Sequence, residues 1–292
     1  MTRQSRLAGW LGAVVGAVSV LLVFVAVGHA SDRQGGVTEE FHQVYPLAAE
    51  GHIDLENING PVHITSWDRN EVKVDAVKRA WSKERLDEAK IDISARPDSV
   101  SIRTEYPSHD NSFWNDRHDN PASVEYTLVV PRRARLDKIA LVNGSLDIQD
   151  VAGEVHASCI NGRLQARNLE GRAHLDTVNG ELDASMNRLP SSPLELSTVN
   201  GTLRLTLPSD ANAELVASTV SGGISNDFGL PVSHGFVGHS LRGELGSGGT
   251  RVKLSNVNGR IEIRHADDNR PLSPAKNLER KRSRDDDDDD EI

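Results

Sequence analysis

Apolar and polar residues alternate over most of the chain between residues 51 and 265. In HIDLENINGPVHITSW, Ile53, Leu55 and Asn57 share one parity, and Val62 and Ile64 resume it beyond a turn. Strict alternation puts successive side chains on opposite faces of an extended segment, the pattern of a half-buried strand. The same test predicts strands over 71–80, 91–95, 99–104 and 123–130. The last ends at Pro131, which has no amide hydrogen for a ladder. Residues 82–90, SKERLDEAK, break the pattern with helix-forming residues behind Ser82, a suitable N-cap, and predict one short helix. Residues 31–50 are polar, contain Gly35-Gly36, and read as a linker.

A repeated turn punctuates the alternation. It occurs at Asn59-Gly60, Asn143-Gly144, Asn161-Gly162, Asn179-Gly180, Asn200-Gly201, Ser221-Gly222 and Asn258-Gly259, with serine replacing asparagine once. Three copies from Asn143 are 18 residues apart, with Gly153 and Gly171 midway; the beat then lengthens to 21 through Gly201, Gly222 and Gly243. A fixed period of this size marks a repeat architecture. Two residues after each glycine stand Val62, Leu146, Leu164, Leu182, Leu203, Ile224 and Ile261, all aliphatic. Immediately before the Asn position stand Ile58, Val142, Ile160, Val178, Val199, Val220 and Val257, all β-branched.

Two folds fit these columns. Asn-Gly is the strongest signal for a two-residue hairpin, but a hairpin would leave all seven β-branched residues in water. In a β-solenoid the step is a corner, the residue before it can turn inward, and equivalent asparagines stack about 4.8 Å apart as a ladder. The columns favour an all-β chain: a β-solenoid, or parallel β-helix-like repeat domain, over 51–265, with a strand-rich N-terminal half and one short helix.

Composition agrees with a thin core of small side chains. Aromatic residues make up 4% of the 292, whereas stacked repeats bury modest aliphatic layers against their neighbours. Most of the net charge of −10 comes from Asp285 to Glu291, and no basic footprint for nucleic acid appears. Residues 266–292 read as a disordered charged tail. Its basic run, Arg280-Lys281-Arg282 and Arg284, suits anionic lipid, and its acidic run suits loosely held divalent cations; a solubilising tail is the plainer reading.

At the other end, Arg3 and Arg6 precede an uncharged stretch from Leu7 to Val27, and Gly28-His29-Ala30 offers small residues before a cut at Ser31. Residues 1–30 thus read as a signal peptide or, uncleaved, as an N-terminal membrane anchor. Either places the chain outside the cytoplasm: periplasmic, cell-surface or secreted.

Candidate chemistry is sparse, and no cofactor or metal is expected. Cys159 aligns with Thr177, Thr198 and Thr219 in a small inward slot, so its thiol reads as structural. His156 and His174 share an outward column with Asp176 nearby, but the rest of that column looks like a solvated face. His109, Asp110, Asp116, His118 and Asp119 lie in a polar loop over 106–122 whose spacing matches no defined metal site. Asp147 and Asp183 fall two coils apart, about 9.6 Å on the stacking distance, a spacing that would suit an inverting glycosidase if a cleft lay between them.

The repeats TVNGEL, TVNGTL and NVNGRI, together with the junction LVVPRRARLDKIALVNG, resemble the bacterial putative adhesin family, an adhesin-like family of unknown function with repeated VNG turns. The resemblance covers roughly 45–265. It implies an exported β-solenoid-like domain without a cofactor or assigned catalytic residues. The chain departs from the pattern at Val220-Ser221-Gly222 and in SHGFVGHSLRGELGSGG, where a loop or bulge is expected. A non-catalytic cell-envelope interaction protein follows, with an envelope protein or surface glycan as partner. The alternatives are a membrane-anchored envelope-stress sensor and, more remotely, a carbohydrate-active enzyme.

Overall fold

The computed structural model describes residues 36–107 and 121–278. The signal or anchor segment, His109 to Asp119 of the polar loop, and the end of the charged tail lie outside the described residues. Among the described residues no helix is long and apolar enough to cross a membrane.

The N-terminal part contains β1 (Val37–Pro46), β2 (His52–Asn59), β3 (Val62–Trp67), β4 (Glu71–Ala80), α1 (Lys83–Glu88), β5 (Lys90–Arg96), β6 (Ser99–Glu105) and β7 (Ser123–Pro131). The repeats follow: β8 (Arg135–Asn143), β9 (Leu146–Gln149), β10 (Val155–Arg167), β11 (Ala173–Ser185), β12 (Leu194–Asn200), β13 (Leu203–Leu207), β14 (Ala213–Ser221) and β15 (Ile224–Asn226). The chain ends through β16 (Ser233–His234), β17 (His239–Leu245), β18 (Thr250–Asn258), β19 (Ile261–His265) and β20 (Ala275–Asn277).

The repeats pair in parallel at equivalent positions, Leu164 with Leu182 and Leu182 with Leu203. This register makes a solenoid. Each coil has one strand before the Asn-Gly corner and one after it; β10 and β11 run through the corner unbroken. Between the two walls lies a core of buried aliphatic side chains. Leu146, Leu164, Leu182, Leu203 and Ile261 fill one wall, facing Ile139, Ala157, Leu175, Leu196 and Leu254 from the other, and all are buried.

The corner requires glycine. Gly162 has φ +151°, and an added Cβ would sit 1.7 Å from the carbonyl oxygen of Gly144 in the coil beneath. Backbone meets backbone here, so no side chain can move aside.

The coils are not stacked in chain order. The coil of β2 and β3 rests on β8 and β9, although β4 to β7 intervene in sequence. Those strands cap the first end: β6 and β5 extend one wall, and β7, β4 and β1 the other. At the far end β12 and β13 pair with β18 and β19, and these in turn pair with β14 and β15. The chain passes over one slot, reverses through β17, which runs antiparallel to β14, and returns to fill the gap. The segment expected to be a loop or bulge is this reversal, with a hairpin of β16 and β17.

Three expectations need correction. Residues 37–46 are not linker but β1, paired along its length with β4. Phe41 and Tyr45 pack on the core. Glu39, on the same parity, disguises the alternation and is held by Lys78 at 3.2 Å. The tail is likewise ordered at Ala275–Asn277, which pairs with β17. The β-branched column, finally, does not turn inward. The pleat carries straight on, so buried Thr177 is followed by exposed Val178.

Candidate functional site

That column is the most distinctive surface of the molecule. The rungs follow coil order: Ile58, Val142, Ile160, Val178, Val199, Val257 and Val220. At about 4.8 Å per rung they make a ridge roughly 29 Å long. Val178 and Val199 are each 38% exposed, because the neighbours above and below cover their flanks; Val220, on the last rung, is 56% exposed. β-branched side chains suit the extended backbone entering the corner, but nothing in the strand requires six of the seven to be exposed.

Beside the ridge runs the asparagine ladder. Asn143 donates from Nδ2 to Oδ1 of Asn59 at 2.9 Å, Asn161 to Asn143 at 3.0 Å, and Asn179 to Asn161 at 3.0 Å. Asn200 donates to Asn179 at 2.9 Å and Asn258 to Asn200 at 3.0 Å. Ser221 occupies the final rung without an amide of its own. Gly60, Gly144, Gly162, Gly180, Gly201, Gly222 and Gly259 all take positive φ. The turn residues are therefore the mould of the ridge rather than a reactive site.

The ridge has different ends. Ile58 adjoins a hollow of about 300 Å³ formed with Tyr106, Pro107, Pro121, Arg85 and Glu88. At the other end, Thr219 pairs with His239, which sets the β16–β17 hairpin level with the last corner. An added Cβ on Gly238 would lie 3.2 Å from Cα of Val220. Phe236 and Val237 form the hairpin tip and are 107% and 72% exposed.

The outward polar columns are surface ion pairs. The rings of His156 and His174 are tilted at 48° to each other with centroids 6.0 Å apart. His174 Nε2 lies 2.8 Å from Asp176 and its Nδ1 3.7 Å from Glu195; His156 lies 3.8 Å from Glu154. No group of three or more His, Cys, Asp or Glu side chains among the described residues is arranged to hold a metal ion. On the opposite wall Asp147 accepts from Gln149 at 3.0 Å and lies 3.8 Å from Arg167, while Asp183 lies 3.5 Å from Arg204. Arg204 also reaches Glu181 at 2.9 Å and Glu262 at 3.1 Å. Two carboxylates engaged by arginines on one flat wall do not oppose each other across a bound sugar.

Burial pushes the Cys159 thiol up to about 11, which removes thiolate at neutral pH. Burial also raises the Asp54 carboxyl, with Asp137 adding to the effect. A cleft of about 550 Å³ lies away from the ridge, lined by Arg188, Pro190, Asp210, Asn212, Thr250 and Arg270. Its carboxylate Asp210 is held by Arg270 at 2.9 Å.

The ridge itself was missed in the sequence, although its signal was there: if Thr177 points in, strict alternation sends Val178 out. The hairpin tip left no signal beyond the glycines around Phe236 and Val237.

A repeat whose most regular surface is a laddered corner bearing an aliphatic ridge is a β-solenoid scaffold. The chain belongs to the Toastrack DUF4097 family, whose profile matches residues 49–264. Solved structures resemble it at low identity. One is a putative cell adhesion protein from Clostridium sporogenes, 12% identical, covering 78% of this chain and 100% of that one, with a TM-score of 0.43. A putative adhesin from Bacteroides fragilis is 11% identical, covers 78% and 97%, and has a TM-score of 0.31. A putative lipid binding protein from Parabacteroides distasonis is 8% identical, covers 78% and 96%, and has a TM-score of 0.27. At these identities and TM-scores the likeness transfers no function. No curated protein matches the chain.

Proposed function

We propose that this chain is a non-catalytic interaction scaffold of the bacterial cell envelope, working outside the cytoplasm and docking through its aliphatic ridge. The ridge is the observation that carries the reading. Six exposed β-branched side chains in line, with half-buried Val142 among them, amount to a patch on the order of 400 Å², within the few-hundred-Å² range of the largest, often functional, patch on a soluble monomer. Folding gains nothing from leaving such a stripe in water, whereas docking does. The engaged carboxylates of the opposite wall and the neutral, buried thiol weigh on the same side. The signal-like N-terminus supports the location.

The test is a variant carrying Ile160→Ser, Val178→Ser and Val199→Ser. Serine already fills the outward strand positions at Ser158 and Ser197, so the fold should persist by circular dichroism. The expected result is loss of association with the cell-envelope fraction. Association at the wild-type level would remove the ridge from the account.

The 21-residue apolar stretch from Leu7 to Val27 favours a second reading, an anchored envelope-stress sensor. N-terminal sequencing separates the two: a mature start at Ser31 excludes the anchor, and retention of Met1 in membranes supports it.

A further inference from the structure

We infer that the asparagine ladder is a chemical shield. It holds the six Asn-Gly steps of the chain against spontaneous conversion to aspartate and isoaspartate, and Ser221 fills the one corner beyond its reach. The inference is independent of what the ridge meets.

All six Asn-Gly steps stand at corners. Asparagine is a chemically labile residue, and glycine puts no side chain in the way of its own nitrogen. In the reaction, the glycine amide loses its proton to a base in the solvent. Its nitrogen attacks Cγ of the asparagine; the N–Cγ bond forms, the Cγ–Nδ2 bond breaks, and ammonia leaves. Water then opens the ring at either carbonyl to give aspartate or isoaspartate. The first product puts a carboxylate into the column of stacked amides, and the second lengthens the corner backbone by a methylene.

The fold ties down both reacting groups. Gly60 donates its amide to the Asn143 carbonyl at 3.0 Å, Gly144 to Asn161 at 3.0 Å, Gly201 to Asn258 at 3.0 Å and Gly259 to Ser221 at 2.7 Å. Gly162 and Gly180 are paired with each other inside β10 and β11. A hydrogen-bonded amide meets solvent base only when its bond opens. The side chains are held as well. From Asn143 to Asn258 each Nδ2 donates to the coil beneath, and Asn59 accepts from Asn143. A side chain held along the stack is not free to swing onto its own glycine nitrogen.

The last corner lacks this protection. Ser221 pairs with Asn258, and Gly222 keeps the conformation of the other corners, with φ +139° against +142° at Gly259. The backbone would therefore take asparagine at 221 as it does elsewhere in the ladder. Such a residue would even gain a bond, since among the described residues no ladder side chain donates to Asn258. But β17 covers β14 only as far as Thr219, so no further corner stacks on this one. Among the described residues the Gly222 amide meets no acceptor, and the glycine is exposed. Hydrogen bonding favours asparagine here and reactivity disfavours it. The chain has serine, which offers no side-chain carbonyl for the nitrogen to attack.

The experiment compares the parent with Ser221→Asn, each folded and each unfolded in guanidinium, in mildly alkaline buffer. Peptide mass spectrometry that separates aspartate from isoaspartate follows every corner over time. The fresh Ser221→Asn chain is expected to melt no lower than the parent. In the folded variant, position 221 converts at least about tenfold faster than any of the six native steps, the factor set by an opening cost of about 1.4 kcal/mol. In guanidinium all seven convert at similar rates. Hydrogen exchange in the parent gives a second reading that needs no substitution: the Gly222 amide exchanges freely, while those of Gly144, Gly201 and Gly259 are protected. Equal folded rates at position 221 and at the native steps overturn the inference. So do native steps that convert as fast folded as unfolded, or a Gly222 amide as well protected as that of Gly259.

Discussion

Asn161 donates to Asn143 at 3.0 Å and accepts from Asn179 at the same distance, so one side chain joins three coils. Asn258, near the end of the ladder, donates to Asn200 and receives from no ladder residue. Asn161→Ala therefore removes two bonds and Asn258→Ala one. At about 0.5–1.5 kcal/mol for each bond, the central substitution is expected to cost about twice as much. Urea unfolding of the two variants checks this, and equal losses would show that the bonds contribute little to stability.

The corner glycine is a harsher test. Gly162→Val places a β-branched residue at φ +151° with its Cβ against the Gly144 carbonyl oxygen. We expect a loss of more than about 2 kcal/mol, since the backbone strain alone costs about 1–2. Thermal melting reads it directly, and an unchanged midpoint would contradict the corner geometry.

Cys159 should behave as a packing residue. Thr177, one coil on, donates its hydroxyl to the Cys159 carbonyl at 2.9 Å, and Cys159 itself lies 3.5 Å from the Gly144 carbonyl oxygen. Cys159→Thr reproduces the neighbouring rung and is expected to stay within about 1 kcal/mol of the parent. The native thiol should resist alkylation at pH 8 until the protein is unfolded; fast native alkylation would show an open slot.

Acid should loosen the flat wall. Burial pulls the Glu262 carboxyl upward, but Arg204 and Arg264 outweigh it and hold its pKa below the ordinary 4.5. The unfolded chain thus takes up this proton first as pH falls. The stabilisation is complete above 4.5 and is lost as pH drops through the lower folded value. Melting temperature against pH should be flatter below 4.5 in Glu262→Gln than in the parent. Identical slopes would place the acid sensitivity elsewhere.

The coil was legible in the sequence because three signals coincide: alternation, a fixed period, and a glycine that only a left-handed corner explains. The spatial order of the coils was not, because every corner carries nearly the same chemistry and β12 can accept β18 as readily as β14. Ser221 held the clue. The copy without a ladder amide is the one that ends the stack, where no further rung needs an acceptor. The β-branched column was misplaced by an energetic argument, that seven exposed aliphatics cost too much for folding. The pleat overruled it and put the column on the outside. β1 escaped because the Glu39–Lys78 pair puts charge on the inward parity.

The central claim is that the ridge, and not the ion-paired wall, meets the partner. A photo-crosslinking side chain placed at Val178 and, separately, at Gln165 in intact native cells tests it most directly. The two positions lie on paired strands, Val178 before the corner of β11 and Gln165 after the corner of β10. The account predicts adducts from Val178 and none from Gln165; adducts from Gln165 with none from Val178 would contradict it.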